Sequence, residues 1–283
     1  MRKITLKAKA KINLTLDVLG VKDGYHMINS LVTTIAVADT ITITKRKDDR
    51  ITLKTTGIPV GCSIVDNNAY KAGKLFQRRI GAGGVDIVID KQIPVGGGLG
   101  GSSADIAGVL NGMKALFSPE ADILPLANEL GSDSGYMTIG GPAVISGRGE
   151  IIEPLDAEIH MPLLIICNDK GISARECYRA YDDMKIVDTA TTVDAVKSLK
   201  NGDSEGFFKL LKNDLYKPAL KIVLEMATAI DTLKKVGAVT ALMTGSGSAV
   251  FGVFDSQRKI SSAYKKLLPI YGDKLIRTHT VNR

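Results

Sequence analysis

The sequence predicts an α+β protein built in two lobes. Three observations carry that reading: a strand-rich first half, a glycine loop that runs straight into a helix, and a closing strand, strand, helix, strand pattern. At 283 residues the chain reaches the size, roughly 250–300 residues, at which one hydrophobic core stops growing. Hydrophobic residues at 45% and charged residues at 24% are globular proportions, so a sizeable core is expected and wholesale disorder is not.

The strands come first. Residues 3–8, 11–19, 30–36 and 39–45 carry β-branched side chains in partial alternation, and 85–90 is a short apolar run. Residues 67–79 have apolar positions at helical spacing, with Asp66 as the expected N-cap. A second helix is expected over 102–117, ending before Pro119, and a third over 120–130, followed by a loop at 131–135 and a strand at 142–146. A boundary falls near 154–161, dividing the chain into expected lobes 1–157 and 158–283. Beyond it, 162–168 reads as a buried strand and 174–236 as helical stretches. Residues 238–244, 249–255, 257–268 and 274–281 then read strand, strand, helix, strand. No internal repeat or low-complexity segment interrupts this order.

Bulk chemistry excludes several classes. Cys62, Cys167 and Cys177 are odd in number and widely spaced, without the clustered histidines of a zinc site, which fits a reducing cytoplasm. No apolar run approaches the roughly 20 residues of a membrane span, and the first eleven residues lack the pattern of a signal peptide. The net charge of +7 favours anionic partners. Its lysines and arginines are scattered as Lys45-Arg46-Lys47, Arg78-Arg79 and Lys265-Lys266, so solvated faces account for them better than a nucleic-acid surface does.

The densest chemical signal is Ile93-Pro94-Val95-Gly96-Gly97-Gly98-Leu99-Gly100-Gly101-Ser102-Ser103-Ala104-Asp105. Glycines let main-chain amides approach a bulky anion, and the helix that follows adds open N–H groups and a positive dipole end. The physical inference is a phosphate cradle. Gly96, Gly98 and Gly101 also satisfy the dinucleotide-binding expression. That reading needs a strand ending in an acidic residue about 20 positions on, where Glu120 and Asp122 instead begin a helix. No Gly-Lys-Ser or Gly-Lys-Thr follows, so a Walker loop fails as well. A purely structural glycine turn is the bland alternative.

Residues 94–104 resemble the ATP-phosphate loop of the GHMP kinases, which include galactokinase, homoserine kinase and mevalonate kinase. Ala10-Lys11-Ile12-Asn13-Leu14 and Asp23-Gly24-Tyr25-His26 resemble the opening of the diphosphocytidyl-methylerythritol kinase family within that group. Gly131-Ser132-Asp133, Gly140-Gly141, Gly147-Arg148-Gly149-Glu150, Asn213-Asp214-Leu215 with Pro218, and Met243-Thr244-Gly245-Ser246-Gly247-Ser248 match further segments of that family, in order.

The resemblance implies an N-terminal lobe like the second domain of ribosomal protein S5 and a ferredoxin-like C-terminal lobe. It implies ATP-dependent phosphorylation of the 2-hydroxyl of a cytidyl-diphosphate-linked methylerythritol, in the non-mevalonate route to isoprenoid precursors. Asp133 would take the proton of the acceptor hydroxyl, and Lys11 would hold that carboxylate and offset charge on the transferring group. Pro94, Gly96, Gly97, Gly98, Leu99, Gly100, Gly101, Ser102 and Ser103 would bind ATP, with Asn67 and Lys91 towards the adenine. Magnesium would arrive with ATP, with Ser103 as a donor. Asn13, Tyr25, His26, Tyr178, Gly245, Ser246 and Gly247 would bind substrate, with His26 reading the cytosine edge and Tyr178 stacking on the base. No nucleic acid or membrane partner is expected, and the chain would act as a monomer or homodimer.

Residue type alone offers plainer roles. Asp133 and Asn67 suit helix N-caps, Lys11 a solvated strand, Lys91 a closed turn, and Tyr178 the core. Asp133 also departs from its family's pattern, running into Ser134-Gly135-Tyr136 in place of Val-Pro-aromatic. Losing a proline and gaining a glycine is expected to loosen the backbone there. Three rival readings remain: another GHMP kinase with a sugar, mevalonate or amino-acid alcohol as acceptor, a nucleotide-binding homologue without turnover, and an RNA-binding lobe.

Overall fold

The computed structural model describes residues 2–184 and 189–283. The helical stretch expected over 174–236 therefore includes four residues, 185–188, that lie outside the described residues. The chain forms two compact units interleaved in sequence. One gathers residues 2–10, Val37–Val95 and Gly100–Gly140, and the other Lys11–Ala36, Gly96–Leu99 and the described residues of Gly141–Arg283. Strands β1 (Lys3–Asn13) and β3 (Tyr25–Lys45) contribute residues to both.

In the first unit β4 (Ile51–Gly57) lies parallel to β5 (Val85–Lys91), and β5 runs antiparallel to residues 40–45 of β3. A parallel pair needs a crossover, here supplied by α1 (Asn68–Phe76) and a π turn over Gln77–Gly81. Helices α2 (Gly101–Phe117), α3 (Leu124–Leu130) and α4 (Ser134–Ile139) complete the unit. Two glycines set how closely α2 approaches the sheet. A Cβ on Gly108 would lie 2.4 Å from Ile41 Cδ1, and one on Gly112 2.5 Å from Ile43 Cδ1. Each costs about 1 kcal/mol of helix propensity relative to alanine, and each opens the space that Ile41 and Ile43 fill.

The second unit holds β2 (Asp17–Lys22), β6 (Ala143–Gly147) and β7 (Ile151–Pro154), which build outward from residues 25–32 of β3. The β2–β3 turn places Asp23 at φ +52° and Gly24 at φ +77°, the left-handed pair that suits an Asp-Gly hairpin. Strand β8 (Pro162–Ile166) is followed by α5 (Ala174–Met184), α6 (Thr192–Lys200), α7 (Ser204–Leu210), α8 (Tyr216–Leu220) and α9 (Glu225–Lys235). Then come β9 (Thr240–Met243), β10 (Val250–Val253), α10 (Gln257–Tyr271) and β11 (Leu275–Val281). The antiparallel order β11–β8–β10–β9 is the ferredoxin-like arrangement that the resemblance implied. Helices α9 and α10 pack on these strands, and Leu163, Leu164, Ile165 and Ile166 of β8 are fully buried.

Several local expectations are corrected. The strands expected at 30–36 and 39–45 are one continuous strand, because Val37 and Ala38 contain no breaker. Strands β4 and β7 are additional. The cap of α1 is Asn67, not Asp66: Asn67 Oδ1 accepts from the Ala69 amide at 2.9 Å. The third helix starts at Leu124 rather than 120, after Asp122 Oδ1 accepts from the Leu124 amide at 3.1 Å. The segment after Asp133 is helical, with Gly135 buried inside α4, where a Cβ would sit 2.1 Å from Asn128 Oδ1.

Candidate active site

The glycine loop is held by its carbonyls. Gly96 O accepts from Ile172 N at 3.3 Å, Gly97 O from Ala249 N at 3.2 Å, Leu99 O from Lys11 N at 3.0 Å and Gly100 O from Ala104 N at 2.8 Å. Among the described residues, no main-chain N–H of 96–103 donates to a protein acceptor. Gly96, Gly98 and Gly100 adopt φ of +73°, +74° and +73°, which turns the backbone into this alternating form. Gly98 is also sterically obligatory, because a Cβ would lie 2.2 Å from the carbonyl oxygen of Thr244. The sequence reading assigned the glycines to ligand approach, whereas at Gly98 the protein's own backbone already requires one.

In the first unit, the opening turn of α2 carries Ser102 and Ser103, and Ser102 Oγ accepts from Asn68 Nδ2 at 2.9 Å. Asn67 spends its side-chain oxygen on the α1 cap. Lys91 continues the inward-facing series Val85, Ile87, Ile89 of β5, so its side chain points into the unit. Its ammonium donates to Asp39 and, at 2.7 Å, to Asp105. Asp133 occupies the N-cap position of α4 at φ −80°, ψ −11°, and its side chain makes no capping bond. The plain capping role therefore does not explain Asp133.

In the second unit, Lys11 is 3% exposed and its ammonium donates to Asn13 Oδ1 at 2.6 Å. That is the opposite of a solvated strand lysine, and a buried cation is retained only with partners. Asn13 Nδ2 donates to Ser30 Oγ at 2.8 Å, and the Asn13 amide donates to Thr244 Oγ1 at 3.1 Å. The Thr244–Ser248 turn is fixed from beneath by Asn213, whose Nδ2 donates to the carbonyls of Met243 and Gly245 at 3.1 and 2.8 Å. Ser248 Oγ donates to Lys170 O at 2.6 Å, while Gly245 and Gly247 have φ of +56° and +85°.

His26 follows the Asp23-Gly24 turn. Its ring stacks on Tyr178 at a centroid distance of 4.5 Å and 20° between planes, and Tyr181 meets it edge-on at 6.1 Å. His26 Nε2 lies 2.7 Å from Asp182 Oδ1. Tyr178 is half-buried rather than a core residue, and its face towards His26 is already covered. A base stacked on Tyr178 would therefore use its other face or displace the histidine. Tyr25 is exposed, with the Arg148 guanidinium 4.7 Å from its ring centre. Sequence reasoning missed Asp182, although Tyr178, Tyr181 and Asp182 share the i, i+3, i+4 spacing of one helix face. It also gave Asn213 no task.

Comparison with known proteins decides the family. The GHMP kinase N-terminal domain model matches residues 67–148 and the C-terminal model residues 195–274. A 4-diphosphocytidyl-2-C-methyl-D-erythritol kinase of Moorella thermoacetica is 37% identical over 276 residues, covering 94% of this chain and 96% of that protein. The chain belongs to the 4-diphosphocytidyl-2-C-methyl-D-erythritol kinase family of GHMP kinases. An enzyme of the same name from Alkaliphilus metalliredigens is 33% identical over 284 residues, covering 96% of this chain and 94% of that one. A crystal structure of a 4-(cytidine 5'-diphospho)-2C-methyl-D-erythritol kinase superposes with a TM-score of 0.84 at 28% identity, covering 99% of this chain and all of that one. The mevalonate kinase of L. major, at 15% identity and a TM-score of 0.75, shares the fold. As a GHMP kinase the protein is a small-molecule kinase that uses ATP. Among the described residues no helix is long and apolar enough to cross a membrane.

Proposed function

We propose that the protein transfers the γ-phosphoryl group of ATP to the 2-hydroxyl of 4-diphosphocytidyl-2-C-methyl-D-erythritol. The observation that carries the chemistry is the glycine loop, whose carbonyls are tied down while its amides are left to an external acceptor. Phosphates are such acceptors, and a loop already pinned by its carbonyls loses little further freedom when they bind. Pro94, residues 96–103 and Asn67 belong to the nucleotide side in this reading, and the substrate side is assigned Asn13, Tyr25, His26, Tyr178, Gly245, Ser246 and Gly247. In the lobe reading residues 1–157 serve ATP binding and residues 158–283 contribute to substrate binding, while Lys11–Ala36 and Gly96–Leu99 group with the second compact unit.

Phosphoryl transfer depends on positioning and charge neutralisation more than on covalent help, because its transition state is loose and anionic. Asp133 orients the acceptor hydroxyl and takes its proton as the bond to phosphorus forms. Lys11, oriented by Asn13, offsets charge on the transferring group. Magnesium would travel as a passenger on the triphosphate, because this hard ion is commonly held by phosphates with one or two protein oxygens. Ser103 would supply a hydroxyl to it. The enzyme would work in the cytoplasm, as a monomer or homodimer, with ATP and the cytidyl diphosphate as its partners.

The test is ATP consumption by purified protein offered the cytidyl substrate, mevalonate, homoserine and galactose separately. Selective consumption with the cytidyl compound is expected. Consumption only with another acceptor would move the assignment within the GHMP kinases.

A further inference from the structure

Three charged side chains lie buried where β5 ends and the glycine loop begins. Lys91 is 2% exposed, with its ammonium shared between Asp39 and Asp105. Asp39 Oδ1 also accepts from the amides of Gln92 and Ile93 at 2.6 and 2.8 Å, the last two residues before Pro94. Asp105 is four residues beyond Gly101 and so shares its helix face. That face is pressed against the strand end, since a Cβ on Gly101 would lie 3.0 Å from Ile93 Cγ2 and 3.7 Å from Lys91 Nζ. One ammonium therefore ties together the residue pair that enters the loop and the helix turn that leaves it.

Stability alone does not call for such a cluster. Desolvating buried charges costs as much as their attraction returns, and apolar side chains of like volume often serve equally well. What the charges add is direction, because hydrogen bonds to a carboxylate fix distance and angle where apolar contact does not. Burial pushes the Asp105 carboxyl up to about 7 against the pull of Lys91, and its Oδ1 has no hydrogen-bond partner among the described residues. These are features of a group held in place at a cost.

We propose that Lys91, Asp39 and Asp105 are positioning residues that set the two ends of the ATP-phosphate loop, with Lys91 acting through its carboxylate partners rather than touching the nucleotide. The proposal rests on the ATP-binding reading of the loop and deepens it.

The experiment is calorimetric titration of the full chain with magnesium ATP in the absence of any alcohol substrate. It compares wild type, Asp105→Asn and the double variant Lys91→Met/Asp105→Leu, with thermal unfolding followed in parallel. The double variant removes the ammonium and one of its two carboxyl partners, leaving Asp39 with the amides of Gln92 and Ile93. About tenfold or greater weakening of ATP binding is expected in both variants, in line with the steep cost of ~1 Å misplacement, and larger than any loss of melting temperature accounts for. In turnover assays KM for ATP should rise while KM for the alcohol acceptor holds. ATP affinity equal to wild type in a folded variant, or loss of affinity only in step with loss of melting temperature, would overturn the positioning role. Failure of the wild type to bind ATP would instead remove the parent reading, and this proposal with it.

Discussion

Replacing Gly98 with alanine separates two reasons for a glycine that sequence alone cannot tell apart. At φ +74° the left-handed backbone costs a non-glycine residue roughly 1–2 kcal/mol. The new methyl would also sit 2.2 Å from Thr244 O. An ordinary carbon–oxygen contact is about 3.3 Å, so the loop or the Thr244 turn must shift by about 1 Å. Misplacement on that scale in a site that works by positioning lowers rate by roughly a hundredfold. Gly202 is the matched control, with φ +71° and nothing within 4 Å of an added methyl. Gly202→Ala should therefore lower the melting temperature by about 2–8 °C, from ~1–2 kcal/mol of backbone strain, and leave activity intact. Gly98→Ala should lose at least as much stability and, in addition, about a hundredfold in kcat/KM. Steady-state kinetics and thermal unfolding on the pair decide the matter, and a Gly98→Ala enzyme no worse than Gly202→Ala in both would refute the close-approach argument.

Other expectations follow from the same contacts. Asp133→Asn should bind ATP with wild-type affinity and lose about 10²–10⁴ in kcat, the range of a missing general base, checked by titration and single-turnover kinetics. Gly108→Ala should destabilise by about 1–3 kcal/mol through its clash with Ile41 Cδ1, and Ile41→Val should recover part of the loss in the double variant. Burial pushes the Cys167 and Cys177 thiols up to about 11 and 12, whereas Cys62 is exposed. At pH 8 a thiol with pKa 11 is only about 0.1% thiolate, so a disulfide reagent should label one cysteine rapidly and the other two only after denaturation.

The sequence announced whatever depends on local pattern. Alternation marked most strands, the glycine loop marked the start of α2, and the closing strand–strand–helix–strand order matched the ferredoxin-like sheet. Strand β4 escaped because its Ile51 and Leu53 are its only buried side chains, leaving a weak period on an edge. The site was legible in identity more than in purpose. Gly98 owes its necessity to Thr244, a residue 146 positions away, and nothing local predicts that. Lys91 reads as a turn residue unless the inward series Val85, Ile87, Ile89 is continued by one step. Its partner Asp39 lies 52 residues earlier. Asp182 was hidden for the same reason, since its task depends on His26, 156 positions away.

Phosphorus NMR of the wild-type protein incubated with magnesium ATP and 4-diphosphocytidyl-2-C-methyl-D-erythritol should show ADP together with a new phosphomonoester signal beside an intact cytidyl diphosphate pair, and Asp133→Asn should show neither product on the same timescale. ADP with free phosphate alone, or no ADP at all, would contradict the account.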